Sequence, residues 1–435
     1  MNTFFNKRVL GAVCLFTFLF LLCFSGDSQV SALDRGTYKQ LKVFSEVLDI
    51  VDKNYVEAVD SKKLIQGAIN GMMKVLDPHS AFMTEEMYRE LEVETKGSFG
   101  GIGIEITVLK DVLTVVSPIE DTPAFLAGVK AGDQIIKIDG QPTKDITIME
   151  AVTKLRGPKD SKVTITIMRE SLPKPKDIVI TRAIIQIKSI KSRMLEDSIG
   201  YVRISSFQER TADDLKRALQ ELRGKQTSPL RGLVLDMRNN PGGLLTQSIE
   251  VSDAFLRAGT IVSTKGRIKS VESRAVAKDD GNEVNCPIVV LVNEGTASAA
   301  EIVSGALQDN GRALILGTQT FGKGSVQTVI PLEEGAALKL TTAKYYTPGG
   351  RSIQAEGITP DITVKYIKPA EENGEENNAV RERDLKGHIK GVDNETKKPL
   401  ELQKRVFDDV SQDNQLKAAV DILKSWDVFQ GSRKI

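Results

Sequence analysis

Apolar residues near the start of the chain recur at a helical spacing. Between residues 37 and 75 they fall every three or four positions, at Leu41, Phe44, Leu48, Val51, Tyr55, Leu64, Ala68, Met72 and Val75. This pattern predicts two helices, each with one apolar stripe, in an N-terminal helical region over 37–96. Because no strand patterns neighbour them, the stripes need a surface to pack on, either the body of the same chain or a partner subunit.

The pattern changes to short β-rich runs between residues 97 and 187. Separated by Gly, Asp and Pro, the runs cover 102–108, 112–116, 134–138 and 163–168, and a helical pattern covers 148–155. About five strands with one or two helices predict a small, partly open β-barrel-like domain.

Strand and helix patterns then alternate over 188–368, which is typical of an α/β layered fold. Strands are predicted at 200–204, 233–237, 288–292, 313–316, 326–332 and 337–346, and helices at 244–256 and 297–307. Another helix is predicted to have Thr211 as its N-cap, with Asp214 at the capping-box position. The runs 233–237 and 288–292 are rich in Leu, Val and Ile, as expected of strands buried at the centre of a sheet.

The N-terminus departs from this globular pattern. Lys7 and Arg8 precede an apolar run over 9–24, and small residues at 30–32 complete the layout of a secretory signal over 1–32. An uncleaved inner-membrane anchor is the alternative, although its 16 residues span about 24 Å as a helix, short for a bilayer core of about 30 Å. Either interpretation sends the rest of the chain across a membrane, into the periplasm or another extracytoplasmic part of the cell envelope.

The C-terminal part begins with a polar linker over 369–390. This segment is rich in Glu and Asn and poor in apolar residues, which is typical of a solvated chain. The segment that follows, 391–435, is predicted to contain a helix at about 415–426 with Leu416, Ala419, Ile422 and Leu423 on one side.

The composition of the chain argues against nucleic-acid binding, a histidine-based serine protease and a zinc enzyme. The 59 Lys and Arg residues balance 58 acidic residues, so no net positive field favours nucleic acid. His79, in a turn, and His388, in a charged stretch, suit neither a Ser-His-Asp triad nor a zinc site, and we expect no metal or cofactor. Cys286 is the single cysteine outside the predicted secretory segment, and we interpret it as a small buried hydrophobe.

Without a suitable histidine, a serine nucleophile can use a neutral lysine as its base. Ser298 lies in Gly295-Thr296-Ala297-Ser298-Ala299-Ala300-Glu301, a segment that follows a predicted strand and opens a predicted helix. Its small neighbours let a substrate backbone approach, and the helix N-terminus supplies free N–H groups. Taken alone, a serine in this place is more often a packing or capping residue.

A second loop has the same strand–loop–helix setting. It reads Asp236-Met237-Arg238-Asn239-Asn240-Pro241-Gly242-Gly243, and its glycines give a tight turn with an N–H that no side chain shields. Such an N–H, together with that of Ala299, can hold the oxyanion of an acyl-transfer intermediate. An ordinary glycine turn is the alternative interpretation.

Lys323 is the candidate base. It lies in Phe321-Gly322-Lys323-Gly324-Ser325-Val326-Gln327, a weakly charged stretch in which its amine can be desolvated. The pKa of this amine must fall from about 10.4 toward 7–8, and burial lowers it only where no carboxylate pairs with the amine. Gln327 is a neutral group that can orient the amine. Residues 317–323 also match a nucleotide P-loop, but Gly324 replaces its hydroxyl residue and a strand pattern follows.

The β-rich domain carries a separate signal. Gly100-Gly101-Ile102-Gly103-Ile104-Glu105-Ile106 is a Gly-rich loop that runs into a strand. Such a loop binds a terminal carboxylate with its N–H groups while the peptide adds to the sheet as a strand. A dinucleotide fingerprint would need Gly at position 106, which is Ile in this chain.

These segments resemble two known families. The Gly-rich loop and Ala131-Gly132-Asp133 resemble a PDZ domain, and the stretches around Ser298, Lys323 and Gln327, with 239–243, resemble the C-terminal processing (tail-specific) peptidases. The resemblance runs from about residue 38 to 365, and it includes the turn Leu76-Asp77-Pro78-His79-Ser80 and the segment Tyr346-Thr347-Pro348-Gly349-Gly350.

The resemblance implies a crotonase/ClpP-like α/β layered core over 188–368, with a PDZ domain inserted at 97–187. It implies that Ser298 is the nucleophile, Lys323 the general base and Gln327 the positioning partner of the lysine. It further implies an oxyanion hole formed by Ala299 and Gly243, which is preferred over Gly242.

By the same resemblance, the PDZ domain binds substrate C-termini through Gly101, Ile102, Gly103 and Ile104 and gates the active site. Arg156 is expected to link ligand occupancy to the body, with a solvated surface arginine as the alternative. The expected partners are protein or peptide substrates with free C-termini, an adaptor protein, and a second copy that dimerises through the terminal helices. The rival hypothesis is a peptide-binding scaffold with an inactive core, which predicts loss of Ser298, Lys323 or the glycine turn.

Overall fold

The structure is a computed structural model that describes residues 35–109, 112–144, 146–169, 171–224, 229–367, 381, 383 and 413–431. The predicted secretory segment 1–32, His388 and almost all of the predicted polar linker lie outside these residues. No helix among the described residues is long and apolar enough to cross a membrane.

The chain divides into two units, residues 1–69 and 70–435. The first contains helix α1, Arg35–Asn54, and the start of helix α2, Ser61–Leu76, which confirms the two helices expected from the apolar spacing. Leu41 and Phe44 of the α1 stripe are exposed.

The second unit opens with strand β1, Ala81–Met83, and helix α3, Glu85–Lys96. Strand β2, Ser98–Gly101, then leads into the β-rich domain and pairs antiparallel with strand β9, Ala183–Gln186, which leads out of it. The domain therefore joins the body through a two-stranded ribbon.

Between these two strands lies a small antiparallel sheet with two short helices. Its elements are β3 Ile104–Leu109, β4 Val112–Pro118, α4 Pro123–Leu126, β5 Gln134–Ile138, β6 Gln141–Pro142, α5 Ile148–Leu155, β7 Lys162–Met168 and β8 Lys176–Thr181. The strand order is β3-β4-β5-β7-β8, with β6 paired to β5, and the two outer strands do not pair with each other. The sheet is therefore open, and β3 is one of its edges.

The rest of the second unit alternates strands and helices around a six-stranded sheet. The elements are β10 Ile190–Met194, β11 Ile199–Ile204, α6 Thr211–Gly224, β12 Gly232–Asp236, α7 Leu245–Asp253, β13 Thr260–Gly266, β14 Ser273–Val276, β15 Ile288–Val292, α8 Ala299–Asp309, β16 Leu314–Gly317, β17 Ser325–Pro331, β18 Ala337–Tyr346, β19 Ile362–Thr363 and α9 Asn414–Gly431. The sheet order is β10-β11-β12-β15-β16-β19, parallel throughout except for the antiparallel edge strand β10. This architecture confirms the predicted α/β layered class.

Both faces of this sheet are covered, as a parallel sheet requires. Alternate residues of β12 and β15 face opposite layers: Leu233 and Val290 join the core that includes residues of α6, α7 and α8, whereas Val234 and Leu291 join the core that includes residues of α9. Every residue of both strands is buried, which confirms their predicted central position. The parallel strands point their carboxyl ends to one edge, where the two candidate loops begin.

A second, antiparallel sheet has the order β1-β18-β13-β14, with β17 also paired to β18. Strand β17 begins directly after Lys323 and Gly324, so a strand follows these residues, as the sequence predicts, and not the helix of a nucleotide P-loop.

The predicted cap of α6 is wrong. Thr211 is already inside the helix, and its hydroxyl accepts a hydrogen bond from the N–H of Gln208 at 2.8 Å. The N–H of Asp214 donates to the carbonyl of Arg210 at 2.9 Å, so no capping box forms around Thr211. The hydroxyl stabilises the turn before the helix instead.

Candidate active site

Ser298 occupies a strained position between strand β15 and helix α8. Its backbone has φ 54° and ψ −115°, a conformation that residues with a side chain rarely adopt and that tends to occur at functional sites. Since this backbone cannot continue a helix, α8 begins at Ala299, two residues later than predicted. The serine is nearly buried, with 9% of its surface exposed.

Glu301 connects Ser298 to the loop that carries Lys323. One carboxylate oxygen accepts hydrogen bonds from the N–H of Ser298 at 2.8 Å and from the N–H of Lys323 at 2.9 Å. The other oxygen accepts from the N–H of Gly322 at 2.7 Å and from the hydroxyl of Thr320 at 2.5 Å. The backbones of both candidate catalytic residues are therefore held by one buried oxygen atom.

Sequence reasoning missed this residue, although a signal for it was present. Ser298-Ala299-Ala300-Glu301 has the Ser-x-x-Glu spacing of a capping box, in which the glutamate reaches back to the backbone N–H at the start of the helix. That spacing indicates the contact with Ser298. The contacts with residues 320, 322 and 323 depend on the tertiary fold.

Glu301 makes stability depend on pH. Burial outweighs its four hydrogen bonds and raises the pKa of Glu301 from 4.5 to about 7. The folded protein therefore keeps a proton that the unfolded chain has lost, so this carboxyl group stabilises the fold fully below about pH 4.5 and loses that contribution as the pH rises through about 7. The loss amounts to about 3 kcal/mol.

As the pH rises from 5 to 8, we expect the free energy of unfolding of the wild type to fall relative to that of the Glu301→Gln variant. Urea denaturation of both proteins measures this difference. The difference isolates Glu301, since the other titrating groups are common to both proteins and their contributions cancel. A constant difference between the two proteins would contradict this prediction.

The glycine turn lies against Ser298. Gly242 and Gly243 have φ values of 102° and 141°. A Cβ atom on Gly242 would come within 2.8 Å of the Cβ of Ser298 and 3.0 Å of the nitrogen of Ala299. The two strand-end loops that were predicted to act together are thus in direct contact.

Two backbone N–H groups in this contact have no acceptor among the residues that the structure describes. The N–H of Gly242 donates to the side-chain oxygen of Asn240 at 2.9 Å, whereas no hydrogen bond within the described part of the chain uses the N–H of Gly243 or of Ala299. Free donors at this position suit the binding of an oxyanion. They favour Gly243 over Gly242 as the partner of Ala299.

Gln327 lies on β17, close to the turn at Asp77. Its side-chain amide nitrogen donates to the hydroxyl of Ser325 at 2.8 Å and contacts that of Thr341 at 3.4 Å. The Thr341 hydroxyl in turn donates to the carboxylate of Asp77 at 3.2 Å. Because a carboxylate accepts but does not donate, this chain of contacts fixes the direction of the Gln327 amide and leaves its oxygen as the acceptor.

The predicted carboxylate loop precedes the edge strand β3. Gly103 has φ 78°, which interrupts the predicted strand so that β3 begins at Ile104, and any side chain there would collide with Thr122. Among the residues that the structure describes, none accepts a hydrogen bond from the N–H of Ile102 or Gly103. Gly101 belongs instead to the ribbon strand β2.

Arg156 ends helix α5 and reaches out of the β-rich domain. Its guanidinium pairs with Glu90 of helix α3 at 2.5 Å and lies 4.7 Å from the ring centre of Phe99 on the ribbon strand β2. With 28% of its side chain exposed, it is half-buried at a contact between this domain and the body. It is therefore not a solvated surface arginine.

Comparison with known proteins shows the family to which this chain belongs. Residues 198–364 match peptidase family S41, residues 100–179 match the PDZ domain, and residues 25–87 match the N-terminal domain of the activating protease CtpB. The chain is 49% identical, over 82% of each chain, to a carboxy-terminal-processing protease of Bartonella bacilliformis. This chain belongs to the carboxy-terminal-processing proteases of family S41. It is a serine peptidase with a PDZ domain.

Other processing proteases are similar over most of the chain. The carboxy-terminal processing protease CtpA of Bacillus subtilis is 35% identical over 78% of this chain and 70% of its own length. A solved photosystem II D1 C-terminal processing protease is 32% identical and covers 74% of this chain and 92% of its own, with a TM-score of 0.43. As a processing protease, this chain acts on protein substrates.

Proposed function

We propose that this chain is an exported endopeptidase that binds the C-terminus of its substrate through the PDZ domain and cleaves with Ser298 and Lys323. The observation that carries the proposal is the shared carboxylate oxygen of Glu301, which holds the backbone N–H of both residues. This arrangement keeps the nucleophile and its base on adjacent segments.

The reaction is an acyl transfer in two steps. Ser298 Oγ attacks the substrate carbonyl carbon while Lys323 Nζ takes the hydroxyl proton, and the N–H groups of Gly243 and Ala299 hold the oxyanion. Collapse breaks the peptide C–N bond, and the leaving amine takes the proton from Lys323. Water then attacks the ester with Lys323 again as base, which releases the new C-terminus and restores Ser298. Gln327 accepts a hydrogen bond from the Lys323 amine and orients it.

The PDZ domain supplies the substrate contact. The free N–H groups of Ile102 and Gly103 can bind a terminal carboxylate, while β3, from Ile104 onward, offers its free edge to the peptide chain. Arg156 contacts both the PDZ domain and helix α3 of the body, and we propose that it transmits ligand occupancy between them.

Export and assembly complete the proposal. Export rests on the secretory pattern over 1–32, and N-terminal sequencing of protein from the cell envelope tests it. The exposed apolar stripe of α1 fits dimerisation through the terminal helices, which sedimentation velocity tests. An adaptor protein remains a proposed partner without a contact surface assigned to it.

One substrate in two chemical forms tests the proposal. An unstructured polypeptide is incubated with the protein as a free acid and as the C-terminal amide, and Ser298→Ala is the control. We expect cleavage of the free acid to be at least about tenfold faster at limiting substrate, because the amide loses the charge that the loop N–H groups bind. Equal rates would contradict recognition of the substrate C-terminus, and cleavage by Ser298→Ala would contradict the assignment of Ser298 as the nucleophile. Binding without any cleavage would favour the hypothesis of a scaffold with an inactive core.

A further inference from the structure

The C-terminal helix α9 packs on the face of the sheet opposite to α8. Its residues Leu416, Ala419, Val420 and Leu423 are buried against strands β11, β12, β15 and β16. Leu423 lies so close to β12 that a side chain on Gly232 would collide with it. The helix lies beyond the 198–364 segment that matches the peptidase family, yet it completes the layered core.

Asp413, the residue before this helix, contacts Arg238, a buried arginine that follows strand β12. Asp413 accepts hydrogen bonds from two nitrogens of Arg238, at 3.0 Å from Nη1 and 2.7 Å from Nη2. Gln415 accepts another from Nη1 at 3.0 Å. Arg238 has no exposed surface, and Asp413 has 2% exposed.

Arg238 is paired with the carboxylates of Asp236 and Asp413. A buried guanidinium is costly unless its charge is paired and its donors are used. Asp236 accepts hydrogen bonds from Nε at 3.0 Å and from Nη2 at 2.7 Å, whereas Asp413 and Gln415 accept from Nη1. Loss of the Asp413 carboxylate therefore removes two hydrogen bonds and one negative charge from a buried guanidinium.

The backbone after Arg238 leads directly to the proposed oxyanion donor. The N–H of Asn239 donates to Asn293 at 2.8 Å, and the amide of Asn240 donates to the carbonyl of Ile204 at 2.9 Å. The side-chain oxygen of Asn240 then accepts from the N–H of Gly242 at 2.9 Å, and Gly243 follows. These bonds hold the turn that begins next to Arg238 and ends at Gly243, and this turn is the route by which a shift of Arg238 can reach the Gly243 N–H.

We propose that Asp413 is a positioning residue for catalysis: by pairing with Arg238, it holds the glycine turn at the distance from Ser298 that oxyanion binding requires. The inference rests on the proposed oxyanion role of Gly243. It gives the C-terminal segment a role in the chemical step as well as in packing.

Three full-length variants test this role through kcat, KM and thermal unfolding. We expect Asp413→Asn to lower kcat about tenfold and Asp413→Leu about a hundredfold, both with KM unchanged, because a displaced oxyanion donor weakens only the transition state. The matched control is Leu423→Ala, which loosens the same helix on the same strand but removes no partner of Arg238. It should lower the melting temperature and leave kcat of the folded protein unchanged.

The outcomes separate this inference from the proposed function. A folded Asp413→Leu variant with the wild-type kcat would overturn the positioning role, and so would an equal loss of kcat in Leu423→Ala. Should the leucine variant fail to fold, the asparagine variant still decides the question. Cleavage by Ser298→Ala in the same assay would instead reject the proposed function itself.

Discussion

Lys323→Met is expected to lower kcat for an unstructured polypeptide by about 10³-fold at neutral pH. General-base catalysis contributes about 10²–10⁴-fold, and methionine fills a similar volume without a nitrogen to take the Ser298 proton. Single-turnover cleavage of a fluorescent polypeptide measures the loss, with binding of the same peptide to the PDZ domain as a check that the fold is intact.

Lys323→Arg is the matched control for charge. Arginine has a similar length but carries a permanent positive charge, so it cannot act as a base, and this variant should be as inactive as Lys323→Met. A wild-type rate in either variant would show that Ser298 is activated by another group.

Gly242→Ala is expected to abolish cleavage almost completely, with a loss of kcat of at least about 10²-fold. The new methyl group would lie 2.8 Å from the Cβ of Ser298 and 2.9 Å from the carbonyl of Ala297, so the nucleophile or the turn must move. The φ of 102° adds strain of about 1–3 kcal/mol.

Gly311→Ala is the control for Gly242→Ala, because it adds backbone strain without a steric clash. Gly311 follows helix α8 in the same unit, has φ 63°, and would place a Cβ atom with nothing within 4 Å. We expect this variant to lose some thermal stability and to keep its kcat. If Gly242→Ala also keeps the wild-type kcat, the turn does not shape the active site.

The order of strands and helices in the peptidase core could be predicted because each element carries its own periodicity. Strands β15 and β18 were predicted with the bounds that the structure has; β15 is a continuous apolar run, and β18 is followed by the turn residues Pro348 and Gly349. Helix α3 and strands β13 and β14 were not predicted individually. Helix α3 has only four apolar residues among its twelve, Met87, Tyr88, Leu91 and Val93, so most of its sequence is polar.

The candidate site was predictable where a residue type limits the chemistry. Ser298 and Lys323 were predicted because the chain lacks a suitable histidine, and the glycines at 242 and 243 because they give a tight turn with an N–H that no side chain shields. The contacts that hold these residues were not predictable. Asp413 lies 175 residues after Arg238 in the sequence, and Lys323 lies 22 residues after Glu301. Neither pairing leaves a local sequence pattern.

The central claim is that an uncharged Lys323 amine activates Ser298. The most direct measurement is the rate at which a fluorophosphonate probe labels Ser298 between pH 5 and pH 10, in the wild type, Lys323→Met and Gln327→Glu. We predict that wild-type labelling rises with an apparent pKa well below the ordinary lysine value of about 10.4. The new carboxylate in Gln327→Glu should shift this profile to higher pH, because it stabilises the charged amine. Lys323→Met should label slowly at every pH; labelling of this variant at the wild-type rate and with the wild-type pH profile would contradict the account.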